Sequence, residues 1–489
     1  MREGWNMKLK QFFGIDFGTT NSATVGITVH TTGITEAQYG DFKDEPYPSI
    51  VAIHRETGEI LSGLEVRSKR QALSEEYEII TSIKSYLATD HIWEIAGKRW
   101  TPVEIASFIF KGLKDNVREK SGVEMEEAIV SVPAGFSSEK RIALRQAASL
   151  VGIKITSFVS ESTAALFYNY EMMKHHRYIG VFDWGGGTLD VSILENKDGL
   201  IYEIGMRSLK LGGDDIDLKL AEKIHDKIMT IKNGQMDFAS MDSVTKDKLI
   251  SISEKAKRDL GKLDRVPIML PKYGEFKLVK TDIDIDVFEA LIDSDIKQAM
   301  DCFERAIADA QLGIPELGCI LMVGGSSNLR PLIEQVESKW RDQYEIRLIH
   351  AKDKGWDVAT GAVRLATNPG GFKLNQQVGV VLSDDTFLPI LQQGHDVKKR
   401  IEKRFALVED SKKARFIFSD GNKRIGTQDV STYGFFKEEL VCHIFIDDNL
   451  ILNILIKSSN KTNEYRSCWK YSNLQFCYEL PAIMGGNDE

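Results

Sequence analysis

Cysteine is scarce in this chain of 489 residues: there are five, Cys302, Cys319, Cys442, Cys468 and Cys477, and none stands in Cys-x-x-Cys spacing. Scattered thiols in odd number support neither a disulfide framework nor a zinc knuckle, and they fit a reducing, cytoplasmic setting. Long apolar runs are also missing. No stretch approaches the roughly 20 residues needed to cross a bilayer, and Met1 to Lys10 is polar and charged, unlike a secretory leader. An excess of positive charge is absent too: 63 Lys and Arg against 72 Asp and Glu leave a net charge of −9. Without an overall basic field, neither nucleic acid nor an anionic membrane is an expected partner. What remains is a chain long enough for about three domains with a large core.

Two short stretches say nearly the same thing. Gly14-Ile15-Asp16-Phe17-Gly18-Thr19-Thr20-Asn21 and Val181-Phe182-Asp183-Trp184-Gly185-Gly186-Gly187-Thr188-Leu189-Asp190 each read as an apolar strand, an aspartate, an aromatic residue and a Gly/Thr turn into a second apolar run. Glycine lets a backbone approach a phosphate and aim its N–H groups at it, and Thr19, Thr20 and Thr188 add hydroxyl donors. Aspartates at strand ends suit the water shell of Mg²⁺, a hard ion that prefers oxygen. One such hairpin is an ordinary turn. Two in matched contexts point to two lobes closing on one nucleotide.

Strands and helices alternate up to about residue 367, which predicts α/β architecture. Thr101-Pro102-Val103-Glu104 carries three helix-start signals at once, and Ile105, Ile109 and Leu113 then recur on one face. A strand is expected over 128–132, stopped by Pro133, then a helix over 137–151 ending at Gly152, then a strand over 153–159. Further along, Glu161-Ser162-Thr163-Ala164-Ala165 starts a helix with small residues, and Leu211-Gly212-Gly213-Asp214 opens another with a glycine pair. Glu254, Lys257 and Arg258 share a helix face that spacing alone reads as solvated surface. Val323-Gly324-Gly325-Ser326-Ser327-Asn328 repeats the strand-to-glycine-turn theme.

Taken in order, these motifs resemble the seventy-kilodalton heat-shock (DnaK-type) chaperones of the actin/hexokinase ATPase superfamily. Tyr47-Pro48-Ser49-Ile50-Val51, Ile83-Lys84, Ser131-Val132-Pro133-Ala134 and Glu254-Lys255-Ala256-Lys257-Arg258 belong to the same set, and together the motifs cover roughly residues 12 to 367. The resemblance implies a two-lobed actin-like ATPase domain of duplicated ribonuclease-H-like halves over 8–367, a linker over 368–377, and a β-sandwich over 378–489. It implies that Asp16 and Asp183 hold hydrated Mg²⁺, and that Gly18, Thr19, Thr20, Asn21 and Gly185, Gly186, Gly187 and Thr188 clasp the phosphates of ATP or ADP. Lys84, Glu161, Asp183, Thr188 and Asp190 become the hydrolytic set. Glu254, Lys257 and Arg258 would cover the adenosine, and Gly212, Gly213 and Asp214 with Gly324, Gly325, Ser326 and Asn328 complete the nucleotide-binding set. Pro133 and Arg141 match the pair through which the family relays nucleotide state between domains.

Departures from the family pattern carry expectations of their own. Ser162 replaces a usual proline, which loosens the loop aiming Glu161; Asn328 replaces a usual adenine-stacking arginine, with Arg330 as its stand-in. The leucine-rich run expected of the linker is replaced by Phe372-Lys373-Leu374-Asn375-Gln376-Gln377-Val378. Beyond it, short alternating strands over 379–382, 415–418, 441–446 and 450–456 predict the sandwich. Asp447-Asp448-Asn449-Leu450-Ile451-Leu452 faintly resembles a strand-turn-strand of the family's peptide-binding domain, with no helical lid expected after it. The basic cluster from Lys398 to Arg404 reads as a solvated loop or strand edge. Three functions follow: an ATP-driven chaperone gripping unfolded or extended polypeptide, served by a J-domain protein and a nucleotide-exchange factor; an ATP-gated module for one dedicated protein partner; and, least favoured, a sugar or metabolite kinase.

Overall fold

The computed structural model describes residues 10–30, 33–41, 44–133, 135–351, 355–368, 371–459 and 467–480. Ala134, Pro369, Gly370 and the end of the expected sandwich beyond residue 480 lie outside the described residues.

The two repeated motifs form the centres of two sheets. In the first, the order is Lys154–Ser160, Glu127–Val132, Lys10–Asp16, Asn21–His30, Gly33–Gln38. In the second it begins Arg347–His350, Cys319–Val323, Tyr178–Trp184, Leu189–Lys197, Leu200–Leu209. Each central strand is parallel to its neighbour on one side and antiparallel to its hairpin partner on the other. Phe13, Gly14 and Ile15 are buried in succession, as are Ile179 to Trp184, because helices or other elements cover both faces. Asp16 and Asp183 therefore emerge at the C-terminal ends of their strands, where open α/β sheets place ligands.

Local sequence explains the flanking helices. Pro102–Ser121 opens with a complete capping box: Glu104 N–H donates to Thr101 Oγ1 at 3.2 Å, and Thr101 N–H to Glu104 Oε2 at 2.9 Å. Ser137 caps Ser138–Leu150, and Gly152 turns out of it at φ +73°. The helix Glu161–Asn169 is crossed by Asp357–Ala366 at unusually short range. A Cβ on Gly361 would stand 1.7 Å from the Ala164 carbonyl oxygen, so only glycine permits the crossing.

The C-terminal region contains two four-stranded antiparallel sheets. One runs Phe387–Leu391, Val378–Val381, Lys413–Ser419, Arg424–Ser431, and the other Ile401–Ala406, Glu439–Ile446, Leu452–Ser458, Ser467–Tyr471. Phe418 from one sheet stacks on Trp469 from the other at 4.0 Å between ring centroids. The basic cluster ends in Ile401–Ala406, an edge strand of the second sheet.

The expected linker is not a free connector. Phe372 and Leu374 are buried while Lys373 turns out to an ion pair with Glu479, so Phe372–Leu374 is a strand. Its partner is Phe476–Glu479, which pairs on its other side with Leu200–Leu209. The last described strand thus leaves the sandwich and extends the second sheet to seven strands. A second seam joins the parts: Arg145, on the helix Ser138–Leu150, donates to Asn449 Oδ1 at 2.8 Å and to the Asp448 carbonyl at 2.6 Å. No helix among the described residues is long and apolar enough to cross a membrane.

Candidate active site

Between the two central strands lies a cavity of about 490 Å³. Asp16, Gly18, Thr19, Thr20 and Asn21 line it from the first hairpin; Asp183, Gly185, Gly186, Gly187, Thr188 and Asp190 line it from the second. The turns face each other closely: a Cβ on Gly186 would stand 2.2 Å from Thr20 Oγ1. Bare backbone and hydroxyls thus line the cavity where the two turns meet, the composition that accommodates phosphate oxygens.

Lys84 and Glu161 come from different elements and meet at the floor, with Lys84 Nζ 2.6 Å from Glu161 Oε1 and both side chains buried. Cross-strand pairing sets Asp190 opposite Asp183, and Thr188 Oγ1 donates to Asp190 Oδ2 at 2.7 Å. Four carboxyl groups, Asp16, Asp183, Asp190 and Glu161, therefore crowd one ammonium. Burial, reinforced by Glu161, pushes Asp16 and Asp190 up to about 6 and raises Asp183 well above the usual range. Burial alone would depress the Lys84 ammonium, but Glu161 and Asp16 outweigh it and the net shift is upward.

The far end of the cavity is lined by Gly213, Asp214, Glu254, Lys257, Arg258, Gly324, Gly325, Ser326 and Asn328. The stretch around Glu254, a solvated surface face by spacing alone, thus faces the cleft. Lys257 Nζ is 2.9 Å from both Asp217 Oδ1 and the Gly213 carbonyl, and Arg258 pairs with Glu254. Asn328 Nδ2 folds back to the Gly324 carbonyl at 3.1 Å. Gly324 itself is at φ +82°, where a Cβ would strike the Trp184 carbonyl at 2.5 Å.

Three expectations change. Gly212 does not line the cavity but packs beneath it, where a Cβ would meet the Gly186 carbonyl at 2.1 Å; its role is to let the two turns cross. Arg330 is engaged by Asp264 at 2.6 Å and Glu334 at 3.2 Å and does not line the cavity, so it is no stand-in for a stacking arginine. Ser162 does not loosen the Glu161 loop, because it is fully buried and accepts from Ser192 Oγ at 2.9 Å.

Several lining or supporting residues escape a sequence reading. Arg67 donates to Asn21 Oδ1 at 2.8 Å, Ser82 to Asp214 Oδ2 at 2.6 Å, and Ser131 to Asp16 Oδ1 at 3.0 Å. Asp217 carries a usable signal, standing four residues beyond Gly213 on the same helix face. Gly355, Asp357 and Val358, also at the cavity wall, have none beyond a small-residue helix.

A family model described as Hsp70 protein matches residues 88–426. The match starts after the first hairpin and Lys84, takes in Glu161 and the whole second hairpin, and runs into the sandwich strand Arg424–Ser431. The second half of the cleft and the start of the sandwich lie in one continuous match over more than half of the residues, so the chain belongs to the Hsp70 family and is an ATP-dependent chaperone with a general client-binding role.

Proposed function

We propose that the cavity binds Mg·ATP and hydrolyses it to ADP and phosphate, and that the nucleotide state sets how the β-sandwich grips unfolded or extended polypeptide. The observation that carries this is the buried Lys84–Glu161 pair at 2.6 Å, set beside three aspartates from two facing Gly/Thr hairpins. The matched strand order of the two sheets supports a duplication of ribonuclease-H-like halves, as in actin and hexokinase. J-domain and nucleotide-exchange partners follow from family membership alone. A cytoplasmic location is supported by five cysteines that are all free thiols, four of them buried.

The residues fit the proposed cofactor. The buried Asp183, Asp190 and Glu161 and the half-buried Asp16 against one ammonium leave an excess of carboxyl groups that a divalent cation neutralises. Among the described residues, no three His, Cys, Asp or Glu side chains converge on one point as direct ligands. That geometry suits an ion held through its waters, with Asp16 and Asp183 as its anchors. Bound Mg²⁺ supplies charge neutralisation for the phosphates. Thr19, Thr20 and the Gly185–Gly187 backbone orient the terminal phosphoryl group, and the Lys84–Glu161 pair, closed on itself at 2.6 Å, presents its remaining hydrogen-bonding positions to the attacking water. Asp190, opposite Asp183 across the hairpin and lining the same cavity, is the carboxylate placed to take its proton. Catalysis is then positioning and charge, as phosphoryl transfer requires. A kinase would instead need an acid aimed at a substrate hydroxyl.

Lys84→Ala tests the assignment. ATP affinity should stay within about threefold while single-turnover hydrolysis falls by on the order of a hundredfold. A wild-type hydrolysis rate in this variant would overturn it.

A further inference from the structure

A second cavity, of about 690 Å³, shares no lining residue with the nucleotide cleft. One wall runs from Glu78 to Thr81 and the other from Ile92 to Ala96. Both walls are sheet edges. Tyr77–Ile80 ends the three-stranded sheet that it forms with Val51–His54 and Ile60–Ser62, and Trp93–Ile95 pairs with Lys98–Trp100 alone. Among the described residues, neither wall strand has a partner on its other side.

Register decides which backbone groups these edges present. Arg55 N–H donates to the Glu76 carbonyl at 2.9 Å, next to the ladder pair His54 and Tyr77. Antiparallel ladders alternate between hydrogen-bonded and non-bonded pairs, so the amide and carbonyl of Ile79 point away from Val51–His54. Across the cavity, Ala96 and Gly97 both have positive φ, +53° and +70°, in a two-residue turn closed by Ile95 and Lys98. The same alternation turns the amide and carbonyl of Glu94 away from Lys98–Trp100. No proline, lysine or bulge blunts Tyr77–Ile80 as exposed edges commonly are, and its one charge, Glu78, is paired with Arg55 at 3.0 Å. Beside the edges, Tyr86, His91 and Trp93 pack ring against ring, with centroids 4.3 to 5.1 Å apart, and all three remain partly exposed.

We infer that this cavity docks an extended segment of another protein, inserted as a strand between Tyr77–Ile80 and Trp93–Ile95 with apolar side chains at alternate positions against Tyr86, His91 and Trp93. A polypeptide backbone carries donors and acceptors along both of its edges, so one strand meets both walls at once. Main-chain bonds supply the affinity and the aromatic wall the preference for apolar side chains. The groove is separate from the cleft, and its role does not depend on how the cleft treats ATP.

The test uses the full-length chain and a fluorescent peptide of alternating valine and lysine, read by anisotropy and by backbone hydrogen exchange. Two further peptides carry N-methyl groups on every valine or on every lysine, which blocks one strand edge or the other without changing a side chain. We expect bound peptide to slow exchange about tenfold within 78–81 and 92–96, and both N-methylated forms to lose binding. Ile79→Pro and Glu94→Pro each remove one cavity-facing N–H and spare the existing ladder, and each should weaken binding about tenfold. If a proline variant melts early, the N-methylated pair decides alone. Protection confined to the sandwich, residues 378–480, overturns the proposal, because the peptide is then held as a client there. Binding that survives either N-methylation overturns insertion between two edges. Protection of both walls in the concentrated free chain, lost on dilution, makes a second copy the occupant and overturns it as well.

Discussion

Charge crowding governs the cleft at the scale of single residues. Asp190 is 2% exposed, faces Asp183 across the hairpin, and has a carboxyl lifted to about 6. Between its usual value of 3.8 and 6 the folded protein holds a proton that the unfolded chain has released. Stability therefore falls as pH rises through that window, and above it the full cost of an ionised buried carboxylate is present. Asp190→Asn removes the charge but keeps an acceptor for Thr188. The nucleotide-free variant should be more stable at pH 7 by at most about 3 kcal/mol, a gain that fades toward pH 4, while hydrolysis falls at every pH. Denaturation midpoints measured across that range decide it; a gain independent of pH would contradict the crowding account. Asp16 and Asp183 were legible because a whole hairpin repeats around each. Ser131 and Arg67 were not, since each acts through a partner far away in sequence, Asp16 and Asn21 respectively.

The decisive element is a helix crossing. Asp357–Ala366 runs over both Glu161–Asn169 and the strand Lys10–Asp16: a Cβ on Gly361 meets the Ala164 carbonyl, and one on Gly14 would lie 2.5 Å from the Ala359 carbonyl. Gly361→Ala has no room, so the helices must separate, at a cost of about 1–3 kcal/mol. The same separation moves the start of Glu161–Asn169 and should lower hydrolysis more than ATP affinity. Melting curves and single-turnover rates check both; an unchanged protein would mean the crossing yields freely. Elements with strong local chemistry were readable in advance, as Thr101 with Glu104 and Ser137 with Gly152 illustrate. The edge strand Phe387–Leu391 was not, and Ile401–Ala406 was readable only as a solvated loop or strand edge. One carries Pro389 and the other has three consecutive charged residues, Glu402, Lys403 and Arg404, features that edges tolerate and that hide the period-two signal.

On the scale of the whole molecule, the sheet connects what the sequence presented as separate parts. Phe372–Leu374 and Phe476–Glu479 enclose the start and finish of the sandwich in the second ATPase sheet, and one apolar cluster runs from Phe13 and Ile109 to Leu440 and Ile454. This joining was illegible because it pairs segments about a hundred residues apart, each too short to show a pattern. It has a direct consequence for proteolysis, which requires a segment to leave its sheet and enter a protease. Lys373 is held on a buried strand with its ammonium on Glu479, whereas Lys398, Lys399 and Arg400 are exposed on a turn and the residues just after it. Limited trypsin digestion should therefore cut first within residues 398–400 and spare Lys373, both with and without nucleotide. Rapid cleavage after Lys373 in the native chain would show that the seam opens readily. Cleavage there that appears only after Phe372→Ala would show that burial of this one ring keeps the seam shut, since that substitution removes a core aromatic without touching the ion pair.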